Sequence, residues 1–389
     1  MNGLTCFALT SDNDTAANVT DVDSNNTSIA DDEWQRLIKK YNLQPLSETG
    51  SFACGMYLLI VGIIATVGNS VVIHVMYKFK KMRTNPQNLL ILNLSMSDLG
   101  ISVVGYPLTT ASCFANRFLF GEVGCVLQGF LTFTLALCAM KTMTCLSVYR
   151  YITICRPHLK WRLNIELTKK VIIFLWAYSL FWTSPPLVGF SSYVFEPFGT
   201  SCSVNWTLRS CPGIFYTHCL ILFCYITNIS IIGFCYQRVV AKTGELTRKI
   251  NASRGHPLNI NEALEVRWMS KEAKVTLISM AMVVSFAIIW FPYALLSLLI
   301  IYGVKIPTAY TTLPTMFCKS SCMLNPIIYS VFNSEFRMYV MRMLTRKRQV
   351  GVEMSRRQTL RKFSMDKTGE GIYIGKGAVT MLRDRNLLF

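Results

Sequence analysis

Seven stretches of mostly apolar residues divide this chain, at roughly 52–77, 87–112, 123–154, 169–190, 212–238, 273–301 and 309–332. A helix needs about 20 such residues to cross a hydrocarbon core about 30 Å thick. Each stretch is long enough, so the sequence predicts an all-α membrane protein, a seven-transmembrane helix bundle. Composition agrees. Of 389 residues, 52% are hydrophobic and 15% charged, whereas soluble domains carry about 25% charged residues. That balance excludes a soluble enzyme, a disordered chain and a collagen-like fibre.

The formal net charge of +18 would suit a nucleic-acid binder, but its layout does not. The basic residues concentrate in alternate connections: KFKKMR at 78–83, RPHLKWR at 156–162, the stretch 238–274, and Arg337, Arg342 and RKR at 346–348. The other connections carry only Arg117, Arg209 and Lys305. Positive charge marks the cytoplasmic side. The N-terminus is therefore expected outside and the C-terminus inside, which requires an odd number of spans. The charge then serves topology and attraction to anionic membrane lipid, and no nucleic-acid partner is expected.

Residues 1–51 read as an extracellular glycosylated tail. Its sequons place acceptors at Asn13, Asn18, Asn25 and Asn26, and such clustering ahead of the first span suits an outward-facing segment. The start MNGLTCFALTSDND lacks a basic region and a long apolar run, so the first span is expected to act as the targeting signal. The bundle covers 52–332. Residues 333–345 alternate apolar and basic side chains, as in an amphipathic helix on the inner membrane face. Residues 346–389 form a cytoplasmic tail in which Ser355, Thr359, Ser364 and Thr368 neighbour basic residues. No Cys/His cluster has metal-site spacing, and no phosphate loop or nucleophile elbow occurs, so neither a metal nor catalysis is expected.

Ionisable groups inside a membrane are expensive and mark function. The second apolar run holds Asp98, the third holds Lys141 and ends at Arg150, and the seventh holds Lys319. Asp98, Asn69 after Gly68, and Asn325 before Pro326 form a core polar set, which serves as interhelical glue or as a rearranging hinge. Lys319 lies mid-span, too far from either end to snorkel. It must pair with a carboxylate, be neutral, or be covalently modified. A lysine of this kind forms Schiff bases with carbonyl compounds. Lys141 has no assigned role at this level.

Taken in order, the residues resemble the rhodopsin class of G-protein-coupled receptors from about 52 to 345. The matching residues are Gly68-Asn69, LNLSMSD ending at Asp98, Cys125, Arg150-Tyr151, Trp176, Tyr236, Trp290-Phe-Pro292-Tyr293 and Asn325-Pro-Ile-Ile-Tyr329. Lys319, six residues before Asn325, stands where animal opsins carry the retinal-binding lysine. The stretch WAYSLFWTSPPLVGFSSYVFEPFGTSCSVNW (176–206) resembles the neuropsin group, and TLPTMFCKSSCM agrees with it.

The resemblance implies several roles. Lys319 binds retinal, 11-cis or all-trans, and absorption falls in the UV or short-wavelength range. Cys125 and Cys202 form an outer disulfide; Cys113 and Cys211 also lie near the outer side, where either state is open and free thiols are the preferred expectation. Gln128, three residues after Cys125, stands where many visual opsins carry a glutamate counterion. Glu196, six before Cys202, stands where many other opsins carry theirs, so the resemblance implies Glu196 as counterion, with Glu122 at the outer rim. Trp290 and Tyr293 flank the Pro292 kink and press on the ligand. On the cytoplasmic side Arg150 pairs with Glu272 at rest, and Tyr236 and Tyr329 swing inward on activation. The implied partner is a heterotrimeric G protein of Gi/o type, with arrestin and a receptor kinase acting on the tail, at the plasma membrane.

Two residues depart from the family pattern. Tyr149 precedes Arg150 where most members have an acid, which implies higher basal activity or altered coupling. Asn228 stands where the fifth span commonly has proline. The competing readings are a retinal isomerase-type opsin with weak G-protein output, a receptor for a diffusible ligand, and a light-driven pump.

Overall fold

The structure is a computed structural model that describes residues 26–208, 210–252 and 260–345. Among these residues, six helices are long and apolar enough to cross a membrane. The first span is Glu48–Lys78. The second runs from Pro86 to Phe114, with a π-helical turn at Ile101–Gly105. The third is Gly121–Cys155 and the fourth Ile165–Thr183, followed by a 3-10 turn at Pro185–Val188. The fifth comprises Cys211–Cys219, a π-helical turn at Leu220–Ile226, and Thr227–Ala252. The sixth is Ile260–Ile301.

The seventh span is in two pieces, Thr308–Lys319 and Ser321–Phe332, parted at Ser320. Each piece alone is too short to cross, which is why the expected seventh stretch at 309–332 is not among the six long apolar helices. Prolines explain how the seventh span exchanges bonds with its neighbours. Pro326 has no N–H, so the carbonyl of Cys322, four residues back, lacks its helical donor. Asn69 Nδ2 supplies one at 3.0 Å. Gly68 makes that approach possible: a Cβ there would lie 2.8 Å from Pro326 Cγ.

Capping residues set several helix starts. Ser47, Asn85, Asn164 and Ser210 each accept a backbone N–H from the first turn, the usual means of satisfying orphan donors. The fifth and sixth spans exceed the predicted stretches. At 42 residues the sixth helix is about 63 Å long, twice the hydrocarbon thickness. Most of the basic segment expected as a loop at 238–274 is thus helical extension.

One end of the bundle is closed in layers. A two-stranded antiparallel hairpin, β1 (Tyr193–Phe195) and β2 (Cys202–Val204), lies across it. Cys125 at the start of the third span is disulfide-bonded to Cys202 in β2, with Cα atoms 5.4 Å apart. Over the hairpin lies a further helix, Asn26–Tyr41, within the segment expected to be a polar tail. Its Trp34 and Leu37 pack with Leu43, Phe118, Phe195 and the disulfide. Gly199 takes φ +78°, and Trp34 fills the place of its missing side chain. Lys40 pairs with Glu122 at 2.8 Å, and Asp31 pairs with Arg117.

Cys211 is disulfide-bonded, which corrects the expectation of a free thiol, whereas Cys113 is free and buried. Asn13, Asn18, Asn25 and the tail serines and threonines lie outside the described residues, and Asn26 is the first residue of the N-terminal helix. Residues 334–345 are helical, and a second unit begins at Glu335.

Candidate functional site

Beneath the hairpin lies a cavity of about 350 Å³, within the usual range for a small-molecule site. The second, third, fifth, sixth and seventh spans wall it, and the hairpin roofs it. Its lining is aromatic and aliphatic, with few polar atoms, and it includes Lys319, Glu196, Gln128, Trp290 and Tyr293. Lys141 does not line it.

The break at Ser320 follows Lys319 directly. The Lys319 carbonyl is taken by the Tyr106 hydroxyl from the second span, while Lys319 Nζ donates to Ser201 Oγ in the loop before β2 at 3.1 Å. No ion pair engages Lys319 among the described residues, so its amine faces the cavity held by one hydroxyl.

Glu196 follows β1 and is 8% exposed. It accepts a hydrogen bond from Tyr293 OH at 3.3 Å, and that hydroxyl accepts one from Trp206 Nε1 at 3.2 Å. Burial pushes the Glu196 carboxyl above the ordinary glutamate range, and the neighbouring Ser203, Lys319 and Tyr293 pull it partly back. A buried carboxyl beside a half-buried amine can balance positive charge on that nitrogen, at the expense of its own desolvation.

Gln128 Nε2 donates to Thr109 Oγ1 at 2.8 Å and to the Gly105 carbonyl at 3.2 Å. Its Oε1 and the indole nitrogen of Trp290 are buried without a partner among the described residues. Such orphans in a cavity wall suit a site whose guest supplies the missing contact. Trp290 and Tyr293 meet edge to face at 6.1 Å, on either side of Pro292 in the sequence, and Phe286 stacks on Trp290 at 5.4 Å.

The opposite end carries a charge cluster. Arg150 is 2% exposed at the foot of the third span. Its Nη1 donates to Glu272 Oε2 of the sixth helix at 3.1 Å, and Nη2 donates to Gln87 Oε1 of the second span. Lys160 shares Glu272 at 3.3 Å. Tyr149 points elsewhere, its hydroxyl 3.0 Å from Thr168 Oγ1 of the fourth span. Tyr236 is buried, and Tyr329 OH donates to Asn88 Oδ1 at 3.4 Å. Between the two ends, Asn325 Nδ2 donates to Asp98 Oδ2 at 2.8 Å. Asn69 does not join that pair directly and binds the Cys322 and Ala65 carbonyls instead.

Sequence reasoning placed Lys319, Glu196, Trp290 and Tyr293, and the structure gathers them in one cavity. It missed Ser201, Tyr106, Trp206 and Gln87. These are ordinary polar residues whose importance comes only from what the fold brings beside them, and no spacing in the sequence marks them.

Known proteins agree with this architecture. The family described as 7 transmembrane receptor (rhodopsin family) matches residues 68–329. The chain is 35% identical over 75% of its length to Opsin-5 of Homo sapiens, covering 81% of that protein. It is also 35% identical over 77% of its length to "Rhodopsin, G0-coupled" of Mizuhopecten yessoensis, covering 74% of it. A crystal structure of squid rhodopsin superposes with a TM-score of 0.72 at 29% identity, over 80% of this chain and 89% of that one. With the seven-span bundle, the hairpin-roofed cavity and the arginine cluster, these matches mean that the chain belongs to the rhodopsin family of seven-transmembrane G-protein-coupled receptors, as a light-sensing animal opsin of the neuropsin-like kind.

Proposed function

We propose that the chain binds retinal covalently at Lys319 and signals light to a heterotrimeric G protein of Gi/o type. The observation that carries this reading is the Lys319 amine in an apolar cavity of about 350 Å³ that also contains the buried carboxyl of Glu196. Retinal joined to that amine as a Schiff base supplies light absorption and a change of shape on isomerisation.

The chain's own residues do the rest. Ser201 orients the Lys319 amine. Glu196, with Tyr293 donating to it, balances positive charge at Lys319 nitrogen. Because Glu196 is buried and reluctant to ionise, that balance is weak, which supports UV or short-wavelength absorption. The hairpin and the N-terminal helix over it exclude water. Trp290 and Tyr293 sit beside the Pro292 interruption of the sixth helix, so a ring displaced by the ligand acts on a helix already free to bend.

At the far end Arg150 holds the third, second and sixth helices together through Glu272 and Gln87. Release of Glu272 lets the sixth helix move and opens a groove for a partner helix. Tyr149 gives Arg150 no carboxylate on its own helix, so restraint at rest falls on Glu272. The tail beyond 346 is assigned to a receptor kinase and arrestin, the N-terminal tail to the extracellular side, and 333–345 to the inner membrane face.

The test is spectroscopic. The protein is expressed, 11-cis and all-trans retinal are added separately, and spectra are recorded before and after illumination, with Lys319→Ala in parallel. A light-changeable band in the parent and none in the variant is expected. No band with either isomer sinks the proposal and leaves a receptor for a diffusible ligand. Light-dependent nucleotide exchange on the G protein separates a signalling receptor from an isomerase-type opsin.

A further inference from the structure

Lys141 and Asn228 are polar residues within the spans that the light-receptor reading leaves without a role. In the structure they meet at one feature, the π-helical turn of the fifth span at Leu220–Ile226. A π-turn lengthens the hydrogen-bond step from i+4 to i+5, seen here as Thr227 N–H donating to the Leu222 carbonyl. Neighbouring carbonyls then need other donors, because unmet backbone groups inside a membrane are costly. No proline lies between Pro212 and Pro257, so no missing N–H imposes the turn.

Side chains hold it instead. The Phe223 carbonyl accepts from Lys141 Nζ at 3.0 Å and from Tyr178 OH at 3.0 Å. The ammonium also stands 4.3 Å from the Tyr178 ring centroid, within cation–π range. On one side, Thr227 Oγ1 donates to the Leu222 carbonyl at 2.7 Å. On the other, Asn228 Nδ2 donates to the Cys224 carbonyl, while its Oδ1 accepts from Thr144 Oγ1 at 3.1 Å. Three consecutive carbonyls are thus met by side chains, and the donors to the middle one come from the third and fourth spans.

The turn is also a wall of the cavity. Leu220, Ile221, Cys224, Tyr225 and Ile226 line it. A regular α-helix here would rotate these side chains by a fraction of a turn relative to the ligand space. We propose that Lys141 is a positioning residue, whose ammonium pins the π-turn of the fifth span and so sets the shape of the cavity wall facing the chromophore. The proposal rests on the assignment of that cavity to retinal.

The test uses the full chain in lipid nanodiscs, as parent, Lys141→Met and Lys141→Arg. Amide hydrogen exchange over 220–228 is measured without retinal, and absorption spectra are recorded after adding 11-cis and, separately, all-trans retinal. In Lys141→Met, exchange over 220–228 speeds up roughly ten- to hundredfold, the scale of losing a hydrogen bond from a charged donor. Its pigment band shifts, and Lys141→Arg returns both towards the parent. Unchanged exchange in Lys141→Met overturns the proposal. So does faster exchange with an unshifted band and unchanged isomer preference, which describes a lysine with a structural role alone. If Lys141→Met does not accumulate, Lys141→Gln, polar but too short to reach Phe223, is read by the same two measurements. A parent with no band with either isomer overturns the retinal reading of Lys319, and the exchange comparison then decides the brace by itself.

Discussion

Lys319 and Lys141 are the same residue at similar expense, both set within the spans, yet their surroundings differ in kind. Lys319 opens into a cavity, touches one hydroxyl, and shares the space with a buried carboxyl. Lys141 is wedged between helices, bound to a carbonyl and lying against a ring. The first environment leaves the nitrogen free to react. The second engages it with a backbone carbonyl and a ring, away from the cavity. What a lysine within a span does is decided by the space in front of its nitrogen.

The largest expected effect breaks the comparison outright. Lys319→Ala abolishes the retinal band, whereas Lys141→Ala still forms pigment, as absorption spectra will check. Equal loss in both would mean that the two sites are not distinct. Next comes Glu196→Gln. It removes the carboxylate that balances charge at Lys319, so the pigment absorbs at shorter wavelength and loses its visible component at lower pH. A spectral pH titration that superposes on the parent would remove Glu196 from the role.

The same carboxyl gives a pH signature without retinal. Its pKa in the fold is raised by burial above the unfolded value of about 4.3. The folded protein therefore holds a proton that the unfolded chain has released. Its contribution to stability is complete below that value and is lost as pH rises through the raised one. Thermal unfolding of the retinal-free protein should show this decline, and Glu196→Gln should flatten it.

Smaller effects lie at the far end. Glu272→Gln should raise dark nucleotide exchange roughly tenfold, the population shift produced by about 1.4 kcal/mol of lost restraint. An unchanged dark rate would show that Gln87 alone restrains Arg150. Tyr149→Phe deletes the bond to Thr168 and should cost about 1 kcal/mol of stability, read as a lower melting temperature with little change in dark exchange.

These contrasts show what the sequence could carry. Hydropathy delivers the spans because each must satisfy its own backbone in lipid, and Lys319 and Asp98 stand out because charges there are rare. Glu196 became visible only through its distance from Cys202 in a familiar pattern, since a loop carboxyl is ordinarily solvated. The N-terminal helix escaped notice because its buried set, Trp34 and Leu37, is small and surrounded by polar residues. Lys141 had no readable partner because its acceptor is a backbone carbonyl, exposed by a π-turn that leaves no mark in residue spacing. Cys211 was misread because pairing depends on proximity, which sequence separation does not report.

The roof over the cavity has a consequence for supply. With a hairpin, a disulfide and a paired helix stacked over one end, a guest leaving that way must first lift several layers. Occupancy of the cavity is then governed by how often the stack opens as well as by affinity, and a ligand can stay bound long after its supply has gone.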